Sequence, residues 1–133
     1  MNNFHLGLQV ICWGTLCVNY MATPVVALGK SMTPTLPNRS VVFVNRLANV
    51  SNGDIVACIA PDDPNKFICK RITHIEGDLI TIHGKQIKIP KNHIFIQGDN
   101  PTTSYDSRYY GPISKSLVQG KVVCTLYPSL KWL

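Results

Sequence analysis

The N-terminal part of this chain carries no charge, and this feature constrains the fold more than any other. Residues 1–29 contain no Lys, Arg, Asp or Glu, so the net charge of +6 belongs entirely to the remainder. Within this part, Leu6 to Leu28 is long enough to cross a hydrocarbon layer of ~30 Å as a helix. It lacks the basic start of a cleaved secretory signal. The sequence therefore predicts an uncleaved transmembrane anchor over residues 1–28, with a buried or amphipathic surface helix as the alternative.

The rest of the chain has the pattern of a β domain. Short runs rich in β-branched and apolar residues alternate with turns that contain Gly, Pro, Asn and Asp. Short strands at close spacing are typical of a small, partly open barrel or coiled sheet. We therefore predict a mainly β domain over residues 29–133. Its expected strands are Ser40–Leu47, Asp54–Ala60, Lys66–Ile75, Asp78–His83, Gln86–Ile89, His93–Gln97 and Leu117–Tyr127.

The cysteines do not form a metal-binding or disulfide framework. There are five of them, an odd number, and no Cys-x-x-Cys pair occurs. A single bridge between Cys58 and Cys69 on neighbouring strands is possible, although isolated cysteines are usually small buried apolar groups. The sequence implies no metal and no organic cofactor.

Ser31 and Lys70 have the surroundings of a nucleophile and its base. Ser31 lies in the run GKSMTPTL, directly after the apolar segment, and the prolines of that loop restrict its backbone. A serine hydroxyl needs an adjacent base, and a lysine serves once burial has lowered its pKa. If Lys66–Ile75 is a strand, Ile68 and Ile72 share the face of Lys70, and Arg71 points away. This alternation favours Lys70 as the base, and the backbone N–H of Ser31 is a natural oxyanion donor.

A third polar cluster follows later in the chain. Ser104, Asp106 and Arg108 are spaced two residues apart, so in an extended segment all three face one side. They come after Gly98-Asp99-Asn100, which we interpret as a turn. An incidental solvated loop with one charge pair is the alternative interpretation.

In order and in local sequence, these three motifs resemble those of the type I signal peptidases. The resemblance runs from about Gly29 to Val122. The segments Ile68-Cys69-Lys70-Arg71 and Asp106-Ser107-Arg108-Tyr109-Tyr110-Gly111-Pro112 are closer to the mitochondrial inner-membrane branch than to the bacterial enzymes. The family thus implies a Ser/Lys endopeptidase that removes hydrophobic sorting peptides from proteins of the intermembrane space. A bacterial-type signal peptidase of the secretory pathway is the alternative within the family.

The resemblance also assigns roles and partners. It implies that Ser104 orients the lysine amine and that Asp106 and Arg108 form a supporting ion pair. Some bacterial members have a serine as second oxyanion donor where this chain has Gly29, so the role of Gly29 in the oxyanion site stays open. The family further implies precursor proteins as substrates, a homologous second protease subunit as partner, and a catalytic domain on the intermembrane-space side of the mitochondrial inner membrane.

Two other interpretations compete with the Ser/Lys pair. In a regular strand His74 shares the face of Lys70, so His74 is the rival base. A membrane-tethered basic β-barrel that binds nucleic acid is the rival class. Such a module needs exposed aromatic residues interleaved with Lys and Arg, whereas Phe67 and Phe95 are expected in the core. We therefore predict no nucleic-acid partner.

Overall fold

The computed structural model describes residues 14–15 and 21–133. Most of the predicted anchor, residues 1–28, lies outside these ranges. Its last part is described, and there the helix prediction is wrong: Ala22–Ala27 is a β-strand, β1, paired antiparallel with the next strand. Among the described residues no helix is long and apolar enough to cross a membrane.

The domain is mainly β, as predicted. All seven expected strands are present within a few residues of their predicted bounds. The additional elements after residue 21 are β1, two two-residue strands, one short α-helix and a 3-10 helix at Lys115–Leu117. The strands are β2 Ser40–Asn45, β3 Ile55–Ala60, β4 Asp63–Ile75, β5 Leu79–Ile82, β6 Lys85–Lys88, β7 His93–Gln97, β8 Ile113–Ser114, β9 Val118–Tyr127 and β10 Lys131–Trp132, and helix α1 is Ser107–Tyr110.

The main sheet is antiparallel and open. Its strand order is β1-β2-β9-β3-β4-β7-β8, with β10 paired to β9, and the two ends of this path do not pair with each other. Strands β5 and β6 form a separate hairpin. A coiled or partly open sheet was the expected architecture, and the open sheet agrees with it.

Apolar side chains pack on both faces of the sheet. Strand β3 alternates between two clusters, because Ile55 and Ala57 belong to one and Val56 and Cys58 to the other. The first cluster also contains Met32 and Leu36, which are almost completely buried. These two residues fix the loop that carries Ser31 against the sheet.

Two parts of the fold thus position the predicted nucleophile and its base. Strand β4 supplies Lys70 from the interior of the sheet, and the loop before β2 supplies Ser31 from above the first cluster.

Candidate active site

Strand β4 buries Lys70 among apolar side chains. Lys70 is 4% exposed, and its cross-strand partner is the fully buried Val56. Ile68 and Ile72 belong to the same cluster as Val56, as strand alternation predicts. Burial lowers the pKa of Lys70, and the positive charge of Arg108 lowers it further, whereas the negative charge of Asp106 opposes the shift. The amine is therefore easier to deprotonate than that of an ordinary lysine.

Ser104 connects Lys70 to a buried carboxylate. Lys70 Nζ donates to Ser104 Oγ at 2.9 Å, and Ser104 Oγ donates to Asp106 Oδ2 at 2.6 Å. An ionised carboxylate only accepts hydrogen bonds, so the serine hydroxyl must point at Asp106. The lone pairs of Ser104 are then left for the lysine. This chain of donors fixes the direction in which the Lys70 amine points.

Asp106 is ionised although it is completely buried. Burial alone would raise the pKa of Asp106, but hydrogen bonds from Arg108, from Ser104 and from the backbone N–H of Gly98 outweigh it and lower the pKa to about 2. Arg108 binds both carboxylate oxygens, at 2.8 and 2.7 Å. The ion pair therefore holds a fixed negative charge behind Ser104.

The backbone of this cluster differs from the extended segment that the spacing suggested. Asp106 is extended, but it caps the short helix α1, and its carboxylate accepts from the backbone N–H of Arg108. Arg108 therefore reaches Asp106 from a helical turn rather than from the same face of a strand.

Gly98 brings the three motifs together. A Cβ built on Gly98 would lie 2.5 Å from the carbonyl oxygen of Ser31, and it would also overlap Ser104 Oγ. The carbonyl group of Ser31 and the side chain of Ser104 thus both lie next to Gly98. Since Ser104 binds Lys70 directly, Ser31, Ser104 and Lys70 are gathered around this one glycine.

The turn after β7 also anchors the loop of Ser31. The Asn100 N–H donates to the Ser31 carbonyl at 2.9 Å, and Thr35 Oγ1 donates to Asp99 Oδ2 at 2.6 Å. Asp99 in turn accepts two hydrogen bonds from Arg71, at 2.8 and 2.7 Å. From the sequence we interpreted Gly98-Asp99-Asn100 as a turn, and the long-range contacts that clamp the Ser31 loop were missed.

Ser31 and Lys70 line the same cavity, which has a volume of about 780 Å³. The Ser31 hydroxyl is half-buried and makes no hydrogen bond within the described part of the chain. It is therefore open to a substrate that enters the cavity. The N–H of Gly29 is engaged by Asn38 Oδ1 at 2.8 Å, so this group is not available to an oxyanion as the loop stands.

The structure places His74 differently from the prediction. A β-bulge interrupts the pairing of β4 with β7, because Ile72 pairs with Ile96 but His74 pairs with Phe95. The extra residue reverses the alternation. The ring of His74 packs edge-on against Phe95, which lies in a different cluster from Ile72. His74 therefore does not share the face of Lys70.

Two further expectations concern Phe67 and the cysteines. Phe95 is buried as expected, but Phe67 is 60% exposed and lies at the cavity, so its prediction as a core residue is wrong. Cys58 and Cys69 are free thiols. Burial raises the pKa of Cys58 to about 12 and that of Cys69 to about 11, which keeps both protonated.

Comparison with known proteins identifies the family. The family model described as signal peptidase, peptidase S26, matches residues 2–89 and 85–127. The chain belongs to this family. It is 34% identical to mitochondrial inner membrane protease subunit 1 of Mus musculus, over 91% of this chain and 79% of that protein. The corresponding human protein is 35% identical over the same shares of the two chains.

Other relatives have related names. The mitochondrial ATP-independent inner membrane protease subunit 1b of Arabidopsis thaliana is 35% identical, over 90% of this chain and 79% of that protein. Subunit 2 of the inner membrane protease of Danio rerio is also 35% identical, over 78% of this chain and 63% of that protein. The chain is thus a signal peptidase of the serine type, and it is related to the protease subunits of the mitochondrial inner membrane.

Proposed function

We propose that this chain is a membrane-bound endopeptidase in which Ser31 is the nucleophile and Lys70 is the general base. One observation supports the proposal most strongly. Lys70 is buried at the cavity that Ser31 also lines, and its hydrogen bond to Ser104 ties it to a pre-organised acceptor chain. Burial favours the neutral amine, which is the form that can accept a proton, and the hydrogen bond to Ser104 fixes the direction in which that amine points.

In the first half of the reaction the Ser31 oxygen attacks the carbonyl carbon of the scissile peptide bond. Lys70 Nζ takes the hydroxyl proton, and the carbonyl oxygen becomes an oxyanion. The resulting ammonium then gives its proton to the leaving amine as the C–N bond breaks. Ser104 and Asp106 support this step, because a fixed negative charge behind Ser104 stabilises the ammonium while it exists.

In the second half a water molecule releases the acyl group. Neutral Lys70 removes a proton from the water, whose oxygen attacks the ester carbon, and the proton returns to Ser31 as the ester bond breaks. The N–H of Ser31 is our proposed oxyanion donor in both halves. Because the Gly29 N–H is bound to Asn38, a second donor requires either a rearrangement of this loop or a different group.

The substrate is an extended peptide from a protein with a hydrophobic sorting signal. Strand β1 is an edge of the sheet and lines the cavity together with the part of β4 that carries Lys70. A peptide can add to such an edge through main-chain hydrogen bonds. We propose that the protein cleaves precursors destined for the intermembrane space, with its catalytic domain on that side of the inner membrane.

A homologous second subunit is the proposed partner. This proposal is based on the relatives, which include proteins named subunit 1 and proteins named subunit 2. The two kinds of chain are similar enough to share one fold, so a pair of homologous chains is a reasonable assembly.

The test is cleavage of a sorting-signal peptide by detergent-solubilised protein, with and without a co-expressed homologous subunit. We expect Ser31→Ala and Lys70→Met to lose activity. His74→Ala is the matched control, because His74 lies on the same strand but packs against Phe95. Activity that persists in Lys70→Met, together with its loss in His74→Ala, would reject the Ser/Lys pair.

A further inference from the structure

One end of the main sheet has an apolar face that no element of the described chain covers. Val25 and Ala27 of β1 pack against the first core cluster, so Val26, between them, points to the opposite face. Residues directly opposite each other on paired strands share a face. Val26 lies opposite Val41 of β2, and Val41 lies opposite Tyr127 of β9. This row of side chains therefore crosses three strands on the face away from the first cluster.

A second row extends the same face to β10. Phe43 follows Val41 by two residues on β2 and therefore lies on the same face. Phe43 lies opposite Cys124 of β9, and Cys124 lies opposite Trp132 of β10. The two rows together make an apolar surface over β1, β2, β9 and β10.

This surface, which we call the outer face, is formed by uncharged side chains. Leu28 comes two residues after Val26, and Leu130 comes two residues before Trp132. This spacing keeps side chains of an extended segment on one face. The outer face comprises Val26, Leu28, Phe43, Tyr127, Leu130 and Trp132. All of these except Phe43 are 56–75% exposed.

The outer face is nearly as large as a protein interface requires. If a large side chain has about 150–250 Å² of surface, the exposed parts of the five exposed members amount to roughly 600 Å². The largest apolar patch of a typical monomer is about 300–600 Å², and a standard interface buries about 800 Å² on each partner. With the half-buried Val41 and Phe43 between its exposed members, the outer face accounts for most of one such interface.

The charge distribution favours a protein partner over the surface of an anionic membrane. A surface that binds anionic lipids combines aromatic side chains with Lys and Arg. The chain carries a net charge of +6, yet none of the six residues of the outer face is charged. An uncharged apolar sheet face is complementary to another of the same kind, and two such faces pack about 10 Å apart. A homologous chain with the same fold supplies that second face.

We infer that the outer face is the surface on which the homologous second subunit docks. This inference rests on the proposed function, because it locates the partner proposed there. Val26 and Leu28 also line the cavity of Ser31 and Lys70, so the docked subunit adjoins the substrate cavity along β1. Trp and Tyr are enriched among the residues that dominate interface energies, and the outer face offers one of each.

The experiment uses the full chain in detergent, co-expressed with an affinity-tagged homologue of the subunit 2 type. A benzophenone amino acid replaces Trp132 in one sample and Leu79 in the other, and both samples are irradiated. Leu79 is the matched position, because it is 66% exposed but lies in β5, in the separate hairpin. We expect a crosslink to the homologue from position 132 and none from position 79.

A double variant measures how much the outer face contributes to binding. Tyr127→Ser combined with Trp132→Ser should reduce the copurified homologue at least tenfold, because loss of one central aromatic residue commonly weakens binding by more than this factor. Leu79→Ser should copurify the homologue as the wild type does. Thermal unfolding of the variants checks that they fold, and the crosslink from position 132 provides a test that does not depend on the double variant.

The inference is wrong if the homologue copurifies but position 132 crosslinks to it no better than position 79. It is also wrong if position 132 crosslinks to a second copy of this chain or to lipid instead of the homologue. If the wild type does not copurify the homologue at all, the proposed partnership and this inference both fail. The Ser31/Lys70 proposal is judged separately, by whether Lys70→Met still cleaves the peptide.

Discussion

Replacing Gly98 by alanine tests whether the three motifs are gathered as closely as the structure indicates. The added Cβ would lie 2.5 Å from the Ser31 carbonyl oxygen, and real Cβ atoms essentially never approach a neighbour closer than 3.0 Å. The Ser31 loop or the turn must therefore move by about half an ångström, and Ser104 must move as well. Both neighbours belong to the proposed catalytic arrangement, so the strain falls directly on the proposed site.

The expected effect is on turnover more than on folding. A misplacement of about 1 Å in an active site costs roughly 10²-fold in rate. We therefore predict that Gly98→Ala lowers kcat by about 10- to 100-fold. The extra volume also costs roughly 1–3 kcal/mol of stability, which lowers Tm by several degrees.

The assay compares kcat for a sorting-signal peptide with thermal unfolding of the same samples. Gly120→Ala is the matched control, because its Cβ would lie 2.6 Å from the Asn45 carbonyl oxygen and 2.7 Å from a methyl group of Val44. It imposes a comparable strain on the sheet without pressing on Ser31 or Ser104. If Gly98→Ala folds and retains the kcat of the wild type, our account of the site geometry is wrong.

Three further predictions follow from the charges around the site. Arg108→Gln removes a positive charge that lowers the pKa of Lys70, so the acidic limb of the kcat–pH profile should move to higher pH. Arg108→Lys keeps the charge and should move this limb less. Asp99→Asn weakens the clamp on Thr35 and should lower kcat with little change in that limb. The pKa of Asp106 is about 2 in the folded protein, compared with 3.8 for an ordinary aspartate. The ionised carboxylate therefore stabilises the fold above pH 4, and this contribution to the free energy of unfolding is lost as the pH falls towards 2. Acid titration of unfolding should show this loss in the wild type and not in Asp106→Asn.

Much of the fold and of the candidate site could be predicted from local patterns. Alternation placed Lys70 on the apolar face of its strand and Arg71 on the other, because a period of two is a direct property of extended chains. The burial of Lys70 and the separate contacts of Arg71 confirm this prediction. The spacing of Ser104, Asp106 and Arg108 likewise indicated a connected cluster, although not its helical turn.

The wrong or missing predictions are of two kinds. Some concern segments whose sequence pattern fits both a helix and a strand, and the others concern features that depend on residues distant in sequence. The segment Ala22–Ala27 is a short apolar run, which periodicity cannot assign to a helix or a strand, and pairing with β2 settles it. The bulge that turns His74 away from Lys70 depends on β7, so no pattern within β4 reveals it. The contact of Thr35 with Asp99 joins residues far apart in sequence, and it emerges only from the folded chain.

The most direct test of the account is the pKa of Lys70 itself. It can be measured by NMR titration of ¹³Cε-labelled lysine in Ser31→Ala, with the signal assigned by its absence from a sample that also carries Lys70→Met. The account predicts a pKa below the ordinary value of 10.5, equal to the pKa that limits the activity of the wild-type enzyme on the acidic side. A Lys70 that titrates at or above the ordinary value, while the enzyme is fully active at neutral pH, would contradict its role as the base.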